Sequence, residues 1–101
     1  MRMLLEVELP VEPFNSMVRD GTVGQKIQGI LGEIKPEAAY FTERDGHRGA
    51  ILVVDVADPS QVPQLAEPFF LVFNALAKFR ICMTPEDLGR AGLEAIGHKY
   101  A

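Results

Sequence analysis

The dipeptide Asp45-Gly46 separates two β-rich segments in the stretch AAYFTERDGHRGAILVVDV, and it constrains the fold more than any other feature of the sequence. A two-residue hairpin loop of type I′ needs positive φ angles at both of its residues, which Asp-Gly accommodates. A loop of this length fixes the strand register, so that Tyr40 lies opposite Ile51 and Arg44 lies opposite His47. The sequence therefore predicts an antiparallel hairpin whose side chains can be assigned to two faces.

The segment before the hairpin predicts a strand followed by helical structure. Residues 3–9 alternate their side chains like a strand, which Pro10 ends. From Phe14 the apolar spacing is helical, with a break at the sequence RDGT, where Thr22 can cap a new start. Residues 23–34 then carry apolar side chains at the spacing of an amphipathic helix.

The segment after the hairpin predicts a helix, a strand and a last helix. Asp58 caps a helix that begins with proline, and Pro68 in its interior predicts a kink or two short helices. The segment AKFRICM predicts the fourth strand. The C-terminal stretch TPEDLGRAGLEAIGHKYA predicts one further helix, with Thr84 as its cap and Asp87 completing a capping box.

The order of elements is β-α-β-β-α-β plus a C-terminal helix, which predicts an α+β fold of the ferredoxin-like type. Right-handed crossovers place two helices on one face of a four-stranded antiparallel sheet with strand order 4-1-3-2. We predict that the face toward the helices carries Leu5, Val7, Leu9, Phe41, Leu52, Val54, Val56, Phe79, Ile81 and Met83. The uncovered side, called the open face below, carries Leu4, Glu6, Glu8, Tyr40, Thr42, Ile51, Val53, Asp55, Lys78, Arg80 and Cys82.

Length and composition set the class of the protein. A chain of 101 residues with 48% hydrophobic content predicts a single domain over residues 1–101. The net charge of −4 argues against nucleic-acid binding, and no apolar run approaches the ~20 residues of a membrane helix. A single cysteine, Cys82, cannot form a disulfide within the chain, so we expect a cytoplasmic protein.

Two interpretations of the open face remain. It is either solvated, with cross-strand ion pairs, or it packs against the same face of a second copy. The second is favoured by four apolar side chains: exposing Leu4, Tyr40, Ile51 and Val53 to water forgoes about 6–10 kcal/mol per chain, an upper value. Soluble monomers rarely expose an apolar patch of that size, so we expect a homodimer.

Three stretches give the chain a resemblance to a known family: VRDGTVG, PEAAYFTERDGHRGAILVVDVADPSQVPQLAEPFF and MTPEDL. The chain resembles the dimeric α/β-barrel proteins, which pair two ferredoxin-like sheets around a lumen, and more narrowly a small bacterial family of unassigned function. The superfamily includes small monooxygenases, haem-degrading enzymes, lactone isomerases and ligand-sensing domains. This range implies no particular activity. His47 and His98 do not fit a haem ligand in the lumen, and no catalytic residue is carried over.

The expected binding site is therefore the lumen between two open faces. It would hold a small, mainly apolar organic molecule without a metal or cofactor, whether or not the protein is an enzyme. Three acids and two bases on the face leave one carboxylate per chain uncompensated. The alternative is a non-catalytic assembly module whose charges only fix the register. The candidate residues of the lumen are Glu6, Glu8, Tyr40, Thr42, Asp55, Lys78, Arg80 and Cys82.

Overall fold

The computed structural model describes every residue from Met1 to Ala101 and shows an α+β fold built on one four-stranded antiparallel sheet. The strands are β1 (Arg2–Leu9), β2 (Ala38–Arg44), β3 (His47–Asp55) and β4 (Leu76–Ile81). The helices are α1 (Val11–Asp20), α2 (Val23–Ile34), α3 (Val62–Phe73), α4 (Pro85–Arg90) and α5 (Leu93–Lys99). No helix is both long enough and apolar enough to cross a membrane.

The sheet has the order β2-β3-β1-β4, which is the predicted order 4-1-3-2 counted from the other edge. This order is consistent with a ferredoxin-like arrangement. The predicted hairpin register is confirmed, because Tyr40 pairs with Ile51 and Arg44 pairs with His47. Asp45-Gly46 turns the chain with φ angles of 51° and 81°, as a type I′ loop requires.

One side of the sheet supplies the floor of the hydrophobic core. Leu5, Val7 and Leu52 are fully or almost fully buried there, because alternate positions of the two central strands point toward the helices. Helices α1, α2 and α3 cover this side, and Phe73 of α3 packs against Phe14 of α1 with 5.5 Å between ring centroids. The first crossover thus contains two helices, and three helices rather than two lie on this side.

The helix ends agree with the sequence in part. Asp58 accepts a hydrogen bond from the Ser60 amide, and this capping box begins a 3₁₀ turn, Pro59–Gln61, that leads into α3. The predicted cap at Thr22 is wrong, because its hydroxyl donates to the Asp20 carboxylate and caps no helical amide. The predicted break at Pro68 is also absent: α3 continues as one helix to Phe73.

Three residues predicted to face the core remain exposed, although register places two of them, Phe41 and Ile81, on the correct side of the sheet. Phe41 is 53% exposed, Ile81 is 68% exposed and Met83 is 65% exposed. Phe41 lies on the edge strand β2, while Ile81 and Met83 lie at and beyond the end of β4. Strand alternation fixes the direction of a side chain, whereas burial needs a helix above it. The helices of this chain do not reach these positions.

The C-terminal region, residues 84–101, projects from the sheet and is called the C-terminal arm below. The Thr84–Asp87 capping box is confirmed, but the predicted single helix is two, because Gly92 adopts a φ of 73° between α4 and α5. Every residue from Leu88 to Ala101 is exposed. The arm stretches the molecule to 60 × 28 × 19 Å, and its radius of gyration of 17.1 Å exceeds the ~13 Å of a compact chain of this length.

Candidate functional site

The open face brings together the side chains predicted for the lumen. Register places Glu6 beside Lys78 and Ile51, and places Thr42 and Glu8 on the two sides of Gly49. Because alternate residues of paired strands share a face, the eight candidates belong to one surface of the sheet or its direct continuation. They are Glu6, Glu8, Tyr40, Thr42, Asp55, Lys78, Arg80 and Cys82.

Glu6 is the least exposed charge of the open face, with 12% of its side chain accessible. Its Oε2 lies 3.0 Å from Arg44 Nη2 and 3.2 Å from Arg80 Nε. Arg44 lies on the edge strand β2 and Arg80 on the edge strand β4. The Glu6 carboxylate on the central strand β1 therefore contacts side chains from both edges of the sheet. The shared oxygen makes no well-aligned hydrogen bond, so the attraction within this cluster is mainly coulombic.

Gly49 leaves the space that Arg44 needs to approach Glu6. A Cβ at position 49 would lie 3.3 Å from the Cβ of Arg44 and 3.2 Å from the Val7 carbonyl oxygen. Both distances are shorter than an ordinary van der Waals contact, so a side chain there would displace the arginine or the strand. Glycine in β3 therefore supports the cluster on its open side.

Glu8 has a different partner from the one expected. The adjacency of strands 1 and 4 in the sequence-based strand order predicts that both acids lie beside Lys78 and Arg80, but Glu8 Oε1 lies 2.6 Å from Nδ1 of His47. The reason is the stagger of the strands, since Glu8 pairs in register with Leu76 and Gly49, one step beyond the two basic residues. The contact orients the imidazole, and its Nε2 is left as the nitrogen available to another group.

The remaining charges lie toward the other end of the strands. Asp55 accepts a hydrogen bond of 3.0 Å from the amino terminus of Met1. Arg2 donates to Glu37 over 2.9 Å, and this bond together with the negative charge of Glu37 raises the pKa of the guanidinium. Lys78 forms none of the ion pairs of the molecule, although it lies opposite Glu6 in the register.

The centre of the open face is cationic, although over the whole face Arg44 only brings the bases to three against the three acids Glu6, Glu8 and Asp55. Arg44, Arg80 and Lys78 give three positive charges around the single carboxylate of Glu6. The sequence count of two bases omitted Arg44. Alternation from Tyr40 through Thr42 already pointed to it, because all three side chains occupy the same face of β2.

Apolar side chains surround the charged centre. Tyr40 is 67% exposed, and Leu4, Ile51 and Val53 are half-buried. Leu76 on β4 is 63% exposed on the same face, and sequence reasoning missed it because it precedes the predicted start of that strand. The open face is thus a flat surface on which apolar groups border a cationic cluster.

Thr42 and Cys82 play smaller parts in this surface. Thr42 is exposed on β2 next to Gly49. Cys82 follows β4, where its amide donates to the Arg2 carbonyl and its thiol lies 3.8 Å from the Arg80 carbonyl oxygen. The thiol is half-buried rather than buried, at the margin of the face.

Two grooves lie on the helical side, and the lining of each includes one residue assigned to the open face, Asp55 in the first and Thr42 in the second. One, of about 680 Å³, runs between α2 and α3 and carries the carboxylates of Glu33 and Glu67. The other, of about 490 Å³, is mainly apolar and lies between Phe14, Ile27 and Phe41. No group of three or more His, Cys, Asp or Glu side chains is placed to hold a metal ion. The open face is the surface of a sheet, and it encloses a volume only when something covers it.

A comparison with models of known protein families gives no match, and a sequence comparison with curated proteins gives none either. Any statement about function therefore depends on the geometry of the open face.

Proposed function

We propose that the protein is a homodimer of the dimeric α/β-barrel type, in which two open faces enclose a lumen that binds a small organic molecule. The ligand would be mainly apolar and carry an anionic group. The observation that carries this proposal is the group of three positive charges around one carboxylate at the centre of the open face, with apolar side chains beside it. Covering this surface removes water from the apolar groups and strengthens the attraction of the cations for an anion.

The residues divide into three roles. Tyr40 and Leu76 supply apolar walls, since both side chains are exposed in the single chain. Arg80 and Lys78 hold the anionic group, because Glu6 already has Arg44 as a second counter-charge and Lys78 has no carboxylate partner. A planar guanidinium can bind a carboxylate through two hydrogen bonds, which selects such a group over a neutral one.

A proton-transfer role falls to the pair formed by Glu8 and His47. A carboxylate that accepts a hydrogen bond from Nδ1 holds the ring in the tautomer whose Nε2 has a free lone pair, so Nε2 can accept a proton from a bound molecule. Asp55 is less suited to act as a base, because its carboxylate already accepts a hydrogen bond from the nitrogen of Met1. If the dimer catalyses a reaction without a cofactor, His47 is the base and Glu8 positions it.

A pair of fluorescent probes tests the binding site. Anilinonaphthalene sulfonate is an apolar anion, and phenylnaphthylamine is its neutral counterpart. We expect the dimer to bind the anion at least about tenfold more tightly than the neutral probe. Arg80→Met should remove most of that preference and leave the neutral probe unaffected, whereas the control Arg19→Met on α1 should change neither.

The same titration separates the proposal from its alternative. A dimer that binds neither probe, with Arg80→Met as well folded as the parent, would indicate an assembly module whose charges only fix the register. Equal binding of the two probes would contradict an anion site. A protein that scatters light as an 11.1 kDa particle at all concentrations would remove the lumen altogether.

A further inference from the structure

The C-terminal arm has apolar side chains and no core of its own. Leu93 and Ile96 share one side of α5, Tyr100 follows directly after the helix at position i+7, and all three are exposed. Leu88 of α4 is exposed as well. Neither helix packs extensively on the sheet or on α1–α3. Isolated helices of six and seven residues are marginal in water, so the arm needs a surface to pack against.

The solvent-accessible area of the chain indicates how much surface the arm and the rest of the chain could bury against a partner. A compact monomer of 11.1 kDa exposes about 5,700 Å², and this chain exposes 6941 Å². The excess of roughly 1,200 Å² is more than the ~800 Å² that each partner buries in a stable interface. The extended shape, 60 Å long, locates the excess in the projecting arm.

The point at which the arm leaves the sheet indicates what it meets. It follows β4, the edge strand that carries Lys78 and Arg80 on the open face. Ile81 and Met83, immediately before the arm, are exposed apolar side chains, and register places Ile81 on the helical side of β4. Because β4 is an edge strand, a second copy seated on the open face would still lie beside the base of the arm.

We propose that the C-terminal arm docks on a second copy of this chain and, through the apolar side formed by Leu93, Ile96 and Tyr100, clasps the dimer. The inference rests on the dimer of the proposed function and adds a second contact to it. The exchange is reciprocal in a two-fold dimer, so each copy both gives and receives an arm. Two short helices that are marginal alone thereby gain a packing surface.

Matched variants of α5 test the arm in the full-length protein. Ile96→Glu places a charge on the apolar side, and His98→Glu places the same charge on the opposite side, two residues further along the helix. We expect Ile96→Glu to raise the dimer dissociation constant at least about tenfold by sedimentation, with His98→Glu close to the parent. Equal effects of the two variants would overturn the proposal.

Cross-linking in isotopically mixed dimers tests which copy receives the arm. Protein in ¹⁴N and ¹⁵N forms is mixed, refolded together and treated with a lysine-reactive cross-linker. Lys99 is the lysine of the arm, and the other lysines of the chain are Lys26, Lys35 and Lys78. Links from Lys99 that join the two isotopes support docking on a second copy. Links confined to one isotope show an arm folded back on its own chain and overturn the proposal.

A third variant, Tyr40→Glu on the open face, distinguishes this inference from the proposed function. A dimer weakened by Tyr40→Glu but not by Ile96→Glu refutes the arm contact and leaves the sheet-to-sheet lumen standing. A dimer weakened by Ile96→Glu but not by Tyr40→Glu supports the arm and removes the lumen.

Discussion

Glu6 has two arginine partners, and this redundancy determines how it responds to mutation. Arg44 and Arg80 both contact the same carboxylate oxygen from opposite edges of the sheet. Either arginine alone still provides a positive charge next to a side chain that is 12% exposed. Only the loss of both leaves the carboxylate nearly buried without compensation.

We therefore expect the two arginines to act non-additively on stability. Arg44→Ala and Arg80→Ala should each cost about 1 kcal/mol in the free energy of unfolding, as partly exposed pairs do. The double variant should cost about 3–5 kcal/mol, the range for a buried charge left unpaired. Urea melts at pH 7 measure all three, with Arg19→Ala as the control, expected within about 0.5 kcal/mol of the parent. A double-variant cost equal to the sum of the single costs would show that Glu6 is solvated.

At the scale of single residues, the sequence predicted the direction of side chains better than their surroundings. Tyr40 and Ile51 share a face as expected because hairpin register is a local property. Ile81 remains exposed because its burial depends on how far a distant helix extends. Arg44 and His47 were not counted as site residues, since charged groups beside a hairpin turn usually point into water; here Glu6 and Glu8 attract them onto the sheet.

At the scale of elements, two of the three predicted caps are present, those of Asp58 and Thr84, and the one at Thr22 is not. The boxes begun by Asp58 and Thr84 are both present, because each depends on residues no more than three apart. Pro68 was expected to disrupt α3, but the helix runs through it. Its buried residues Leu65 and Phe69 pack into the core, and this packing offsets the cost of the missing amide. Gly92 ends α4 instead, a break that the continuous helical pattern concealed.

Asp58 gives the cap of the 3₁₀ turn before α3 a defined pH dependence. The Ser60 hydroxyl and amide donate to its carboxylate over 2.7 and 2.9 Å, which lowers the pKa of Asp58 in the folded protein. Its unfolded pKa is near 3.9, so the stabilisation is complete above about pH 5 and is lost as the pH falls through the lower folded pKa. Asp58→Asn retains a capping oxygen without this titration.

Urea midpoints measured from pH 7 down to pH 3 should therefore fall less in Asp58→Asn than in the parent. Glu12, Asp20 and Asp87 have pKa values lowered by their own hydrogen bonds, so both proteins retain a common decline toward acid. Parallel curves for the two proteins would show that the cap does not titrate with the fold.

At the scale of the whole molecule, the sequence predicted the sheet order but not the shape. Strand order follows from the sequence of elements and the rules of chain connection. The projecting arm could not be deduced in the same way, because an amphipathic helix indicates that one side needs cover without indicating which surface provides it. The same holds for the candidate site. Strand alternation identified its residues, but the cavity that they would line requires a second chain.

The last prediction concerns that second chain and applies to the proposed contacts of both the open face and the arm. Only 14 of 101 residues are buried in the single chain, so much of the apolar surface can be removed from water only by association.

If folding and dimerisation are coupled, each tenfold rise in protein concentration should add about 1.4 kcal/mol to the apparent free energy of unfolding per dimer. For a dimer of this size, the melting temperature should rise by roughly 4 °C per tenfold. Calorimetry over a hundredfold concentration range measures this shift directly. A constant melting temperature, together with a scattering mass of 11.1 kDa, would mean that the exposed apolar surface is stable in water and that the lumen does not form.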